Sequence, residues 1–329
     1  SLAGASVTAM GLAQHGDLDR QLRNIRNRVV SMGAPECVVM DDYYERAHFW
    51  ISGESDYANA QKDGTKAGYK LTSWGGSVGF DYDFSNRFTA GLAVTALYGK
   101  LQAESAESAT GDLNRYYLSL FGRYATGAWV NSLILTMGRV DAGLDRRVML
   151  PGGAGYSTEG DTTGMSFGAM YEVAYTIPLE EDGSACFQPV FNLAFKHTAL
   201  TGYTESNSDA ALHVGAQSMN SFTLGLGART QMTVGETVYN RASVLELRAL
   251  AKAEFGDRIC DTTTNLYNVR NNTPRTVKSA QTGAFGGEFG ASLIIPVGVD
   301  DGSIFVDVSG QIRSGATEAN GVLGYRLNF

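Results

Sequence analysis

The sequence predicts an all-β protein: a twelve-stranded antiparallel transmembrane β-barrel with one N-terminal α-helix. Three observations carry that prediction. After about residue 45 the apolar residues recur with a period of two to the end of the chain. The connections between these runs alternate long and short. The chain closes on VLGYRLNF, residues 322–329, where Leu323, Tyr325, Leu327 and Phe329 share one parity and Gly324, Arg326 and Asn328 the other. A loose terminus is normally polar and frayed. This one reads as a strand with one apolar face, running to the last atom.

Residues 12–32, LAQHGDLDRQLRNIRNRVVSM, form the predicted helix. Leu18, Leu22, Ile25 and Val29 follow helical spacing, and Asp17 with Asp19 falls near the predicted start. Gly33 and Pro35 end it. The apolar stripe is narrow, too slight to fix the helix in a large hydrophobic core. The remaining surface is polar and basic, with Arg20, Arg23, Arg26 and Arg28.

The strands follow in order. Residues 74–84 place Trp74, Val78, Phe80, Tyr82 and Phe84 opposite Ser77, Asp81 and Asp83. Residues 88–98 place Phe88, Leu92, Val94 and Tyr98 on one face, and residues 116–124 set Tyr116, Leu118, Leu120 and Tyr124 against Ser119 and Arg123. The same alternation runs through 165–175, 189–195, 222–231, 243–255, 285–295 and 304–313. Segments 45–57 and 128–142 are noisier. These runs approach the roughly 9–11 residues a tilted strand needs to cross a bilayer, and exceed the mode of about 5–6 for soluble strands. Tyr82, Phe84, Phe88, Tyr98, Tyr116, Tyr124 and Tyr175 cluster near segment ends, where interfacial girdles lie.

Long connections are expected at 55–67, 146–163, 201–217 and 257–277, medium ones at 103–112 and 314–320, and short turns at 85–87, 125–127, 178–185, 235–238 and 297–302. Outer-membrane barrels pair short periplasmic turns with long outer loops, and an even strand count puts both barrel ends on the periplasmic side. Glycine supplies 40 of 329 residues. Gly75, Gly79, Gly225, Gly227, Gly286 and Gly290 fall mostly on the polar parity, as expected of a lumen that must hold something thick.

Composition narrows the classes further. A net charge of −8 and a pI near 5.1 argue against nucleic acid. A mean hydropathy of −0.13, without an uncharged apolar run near the roughly 18 residues a spanning helix needs, excludes such a helix but not a barrel. Ser1-Leu-Ala-Gly-Ala lacks the basic segment and apolar core of a secretory signal, so the expectation is an exported precursor that has lost its front. Cys37, Cys186 and Cys260 are too scattered for a disulfide scaffold or a zinc site. Both Cys37, after the helix, and Cys186, after a short turn, should lie near the periplasmic rim, where a disulfide between them is conceivable; on opposite sides of the barrel they would be out of reach.

With the basic helix, the twelve amphipathic strands and the Y-R-L-N-F ending in place, the chain resembles the C-terminal translocator (β-barrel) domain of autotransporters, the type V secretion proteins of Gram-negative outer membranes. The resemblance covers about Leu12 to Phe329. It implies an outer-membrane translocator and anchor that exports an N-terminal passenger domain, with the helix threading the lumen N-terminus outward. It also implies insertion by the barrel assembly machinery, which in this family reads the last strand; that role would fall on Phe329, with Tyr325 and Leu327 at alternate positions. The chain then divides into a pore-helix segment (1–33), a periplasmic linker (34–44) and the barrel (45–329). The expected partners are outer-membrane lipid, the assembly machinery and the upstream passenger, with no nucleic acid and a monomeric barrel.

The residues support a helix inside the barrel on their own terms. Buried charges need partners. Asp17, Arg20, Arg23, Arg26 and Arg28 suit a lumen whose parity positions include Asp81, Asp83, Glu172, Glu246, Glu288 and Asp307, together with Arg123, Arg248 and Arg313.

Catalytic chemistry finds little footing. Gly75–Gly79 and Gly164–Gly168 both match G-x-S-x-G, but their serines lie inside alternating strands, away from the strand-to-helix elbow the motif requires. His15, His48, His197 and His213 have no metal-ligand spacing. No catalytic residue, metal or cofactor is expected, and the chain reads as a non-enzyme. The alternatives are a stand-alone outer-membrane channel, a surface hydrolase barrel, or a soluble β-sandwich with a binding function.

Overall fold

Helix α1 runs from Val7 to Ser31 in a computed structural model of the chain that describes all residues except 1–5, 32–45, 105–107, 150–154, 239–240, 268, 270–272 and 298–301. At 1.5 Å per residue its 25 residues span about 37 Å, more than the thickness of a bilayer core. The helix begins earlier than the spacing of its leucines predicted. Residues 7–11, among them Val7, Ala9 and Met10, extend it by more than a turn, so Asp17 and Asp19 lie mid-helix, away from the N-terminal dipole. The short apolar residues there lack the stripe pattern, because they are buried on every side.

The strands are β1 (Ala47–Ala60), β2 (Gly68–Ser85), β3 (Phe88–Glu104), β4 (Ser108–Thr126), β5 (Trp129–Met149), β6 (Gly155–Tyr175), β7 (Ile177–Pro178), β8 (Ala185–Leu200), β9 (Tyr203–Thr204), β10 (Leu212–Val214), β11 (Gln217–Val238), β12 (Arg241–Gly256), β13 (Asp261–Leu266), β14 (Arg275–Lys278), β15 (Phe285–Val297), β16 (Gly302–Arg313) and β17 (Ala316–Asn328). Twelve of them close an antiparallel barrel in chain order. The ring closes where β17 meets β1, in register from His48–Asn328 to Ala60–Ala316. The two-residue β7 is an extra pairing on β8, and β9, β10, β13 and β14 form a separate four-stranded sheet.

Several strands are longer than alternation predicted, β6 and β11 about twofold: β5 and β6 have 21 residues each and β11 has 22. The stretch 146–163, expected as a long loop, is mostly β5 and β6, and 314–320 is a two-residue turn followed by strand. Gly315 makes that turn with φ +75°, a conformation only glycine adopts at little cost. The physical reason is a change of environment along one strand. On β6 the outward residues run Met165, Phe167, Tyr171 and Tyr175, but then Ser157, Glu159, Asp161 and Thr163. On β5, Leu133, Leu135 and Met137 give way to Arg139, Asp145 and Arg147. Outward residues that meet lipid are apolar, and those above the bilayer meet water. The inward parity inverts as well. Leu101, Ala103, Ala109, Leu113, Val140 and Leu144 turn inward above the bilayer and pack on the first turns of α1. The outer end of the barrel is therefore built like a soluble protein, polar outside and apolar inside.

Candidate translocation pore

The helix sits in the lumen with its N-terminus toward the long loops. It leans on one side of the wall. Leu22, Ile25 and Val29 pack with Phe121, Ile134, Met170 and Ala194, and Leu18 packs with Leu97 and Tyr117. Gly168 lies directly beneath this stripe, where an added Cβ would come within 2.9 Å of Leu22 and 3.3 Å of Leu18. Gly168→Leu is expected to push the helix off the wall at a cost of about 1–3 kcal/mol. Proteolysis of the helix in detergent should then quicken while the barrel bands stay unchanged. Three of the strand glycines noted in the sequence serve a different purpose from the one expected. Gly79 makes room for Trp50, Gly225 for Asn192 and Gly290 for Arg248, so they admit neighbouring wall side chains rather than the helix.

The remaining faces of α1 are tied to the wall by charge. Asp17 accepts from Arg20 (2.9 Å), from Arg115 of β4 and from the Tyr117 hydroxyl (2.5 Å). Asp19 lies between Lys196 of β8 (3.2 Å) and Lys252 of β12 (3.4 Å). Glu318 of β17 takes Arg23 at 2.5 Å and faces Arg20 at 3.7 Å. Arg26 pairs with Glu288 of β15 and faces Glu172 of β6 at 3.7 Å. Asn24 donates to Glu54 of β1 (2.6 Å), Asn27 to Asp307 (3.3 Å), and the Arg28 guanidinium lies 4.1 Å over the Phe305 ring. His15 hydrogen-bonds Thr198 (3.1 Å) and Ser221 (2.8 Å). These partners come from strands all around the circumference. Burial of so many charges is tolerable because each meets an opposite one or a hydrogen-bonding group.

The residues singled out in the sequence do not all meet at one place. Asp17, Arg20, Arg23, Arg26 and Arg28 of the helix, with Glu172, Glu288 and Asp307 of the wall, meet in the lumen. Glu246, Arg248 and Arg313 face the lumen but bond within the wall, Arg248 to Glu246 (3.2 Å) and Asp307 (2.7 Å), and Arg313 to Glu254. Asp81 and Asp83 lie apart from the helix, at the periplasmic rim beside the β1–β17 seam. There His48 bridges Asp83 (3.1 Å) and Asn328 (3.0 Å), and Arg326 faces Asp81 at 3.6 Å. Arg123 is half-buried near the periplasmic end of β4. Tyr325, Leu327 and Phe329 point outward. Ser77 and Ser166 of the two G-x-S-x-G matches are buried within β2 and β6. Cys186 is disulfide-bonded, and Cys37, like the whole 34–44 linker, lies outside the described residues.

Arg115, Lys196 and Glu318 also engage the helix, and the sequence reading does not single them out. Arg115 shares the parity of Tyr117 and Ser119, so strand alternation carries the signal for it. Glu318 was hidden because its segment read as a loop.

The fold has known counterparts. The family profile described as "Autotransporter beta-domain" matches residues 49–309. The chain belongs to that family. It is therefore the outer-membrane translocator of an autotransporter, the transport unit for a passenger domain. Among solved structures, the translocator domain of the autotransporter NalP from Neisseria meningitidis aligns over 99% of this chain and 100% of its own, with a TM-score of 0.70 at 15% identity. The beta domain of the Bordetella autotransporter BrkA gives 0.57 at 16% identity, covering 86% and 100%, and the transport unit of AIDA-I from Escherichia coli gives 0.53 at 13%, covering 92% and 97%. At these identities the likeness is one of fold. No curated protein sequence matches this translocator.

Proposed function

We propose that α1 is the retained plug and tether of this autotransporter: it leads outward to the passenger, and its ion pairs hold it in the pore once export ends. The observation that carries this reading is the ring of partners on β1, β4, β6, β8, β12, β15 and β17, which fixes helix depth and rotation together. Asp17, Asp19, Arg23, Asn24 and Arg26 are the helix side of that ring, with Arg20 and Arg28 beside them, and the lumen acids and bases are its counterpart. Single-channel recording tests it. The full chain should conduct poorly, and the chain without residues 1–32 should conduct in large, steady steps. Equal conductance of the two would remove the plug.

The barrel inserts as a monomer, with residues 1–33 as pore helix, 34–44 as periplasmic linker and 45–329 as wall, and it performs no catalysis of its own. The outward row Tyr325, Leu327 and Phe329 is what the assembly machinery reads. Deleting Phe329 should sharply lower outer-membrane levels in cells while the purified chain still folds into detergent micelles. Wild-type levels of the truncated chain would count against the signal.

A further inference from the structure

The outer mouth of the barrel is closed by more than the helix. The sheet β14–β13–β10–β9, drawn from the β8–β11 and β12–β15 connections, packs against the outer core. Three fastenings hold it. Arg146, at the top of β5, donates to both carboxylate oxygens of Glu205 (2.9 and 2.5 Å) and to the Ala210 carbonyl (3.0 Å). Glu205 also accepts the Leu212 N–H at 3.0 Å, and both members of the pair are fully buried. The Ala280 N–H donates to the Ala67 carbonyl (2.7 Å), which ties the sheet to the β1–β2 connection, and the Ser206 N–H donates to the Glu159 carbonyl of β6 (2.8 Å).

The sheet needs the helix beneath it. Val7, Met10, Leu12 and Ala13 share one apolar cluster with Tyr203, Leu212, Val214 and Cys260. Gln217, at the top of β11, joins the two parts: its Nε2 donates to the Val7 carbonyl (3.2 Å), and its Oε1 accepts from the Cys260 thiol (3.2 Å). Gly11 lies under both side chains, where any Cβ would overlap Gln217 and Cys260.

We infer that the outer loops form a gate keyed to the helix, latched by Arg146–Glu205 and closing only when α1 is seated with Gly11 under Cys260 and Gln217. Any polypeptide leaving the lumen has to lift this gate. Its closure marks the return of the helix to its resting depth and adds a second barrier in series with it. A passive surface loop would need no buried bidentate ion pair and no glycine in the helix beneath it. The inference rests on the helix being held in the lumen.

Cys260 is a built-in reporter. Burial, with Asp261 and Asp257 nearby, pushes its thiol up to about 12, so it stays unreactive toward maleimide while the gate is shut. Amide hydrogen exchange and Cys260 alkylation on the full chain in micelles test the inference. In the wild type the gate strands are protected and Cys260 is silent. Arg146→Ala leaves Glu205 buried without its partner and should speed exchange over 203–214, and alkylation, by at least about tenfold. Arg146→Lys keeps the charge but not the fork, and should fall between. Gly11→Leu, with the latch intact, should speed exchange over 261–266 and alkylation to a similar extent. Wild-type rates in Gly11→Leu would overturn the coupling, and wild-type rates in Arg146→Ala would overturn the latch. If Arg146→Ala fails to fold, as seen by heat-modifiable migration, Glu205→Gln carries the same test. Exchange at amides 18–29 separates this from failure of the plug: rapid exchange there in the wild type would defeat the retained helix itself.

Discussion

Asp17→Ala will loosen the helix more than any other single change in the lumen. Its carboxylate is the shared acceptor for Arg20, Arg115 and the Tyr117 hydroxyl, and Arg115 is 0% exposed. Removing it leaves the Arg115 guanidinium in a closed space without the carboxylate it pairs with, and leaves Arg20 with only the more distant Glu318, at 3.7 Å. Breaking a buried pair in this way costs about 3–5 kcal/mol. Applied to helix seating, about 3 kcal/mol multiplies the unseated fraction by more than a hundredfold. The full-length variant should show frequent large conductance steps in planar bilayers, where the parent shows few. Asp17→Asn keeps an acceptor oxygen and should lie between the two. Conductance indistinguishable from the parent would mean the remaining ties at Glu318 and Glu288 suffice, and that Asp17 is not the depth pin.

Val94→Arg is expected to have the largest effect on the barrel itself. Val94 is 53% exposed on β3, midway between Phe88 and Tyr98, where the outward face meets the middle of the hydrocarbon. A charge at that depth costs about 2–4 kcal/mol, falling to roughly 0–1 near the interface. Gln102→Arg, on the same strand and face but above the aromatic Tyr98, should cost almost nothing. Denaturant titrations of folding into lipid vesicles would read the difference directly. Equal costs at the two positions would mean that the lipid boundary does not lie between them.

The period-two pattern made the membrane layer legible because lipid outside and polar lumen inside impose one rule on every strand. Phe80 with Asp81, Leu120 with Ser119 and Val306 with Asp307 all obey it. The rule fails above the bilayer. Arg147, Glu159 and Asp161 read as loop because their charges face outward, yet they stand on β5 and β6 with Leu144 and Gly160 turned inward. Sequence reasoning that assumes one solvent misreads a strand that crosses two. The site was legible in the same uneven way. The arginines of α1 required acidic partners, and Glu172, Glu288 and Asp307 supply them. Asp81 and Asp83 share their parity but lie too near the periplasmic rim, and they pair with Arg326 and His48 instead.

By itself the sequence determined the local physics: a helix with a narrow apolar stripe and a charged remainder, strands with one face for lipid, and a last strand with one apolar face. These are properties of neighbouring residues, and a period in the chain expresses them without reference to anything distant. The tertiary structure alone decided which charge meets which. Arg115 reaches Asp17 across 98 positions and Arg26 reaches Glu288 across 262. Barrel closure sets those distances through the register of all twelve strands at once, and no local pattern encodes that sum.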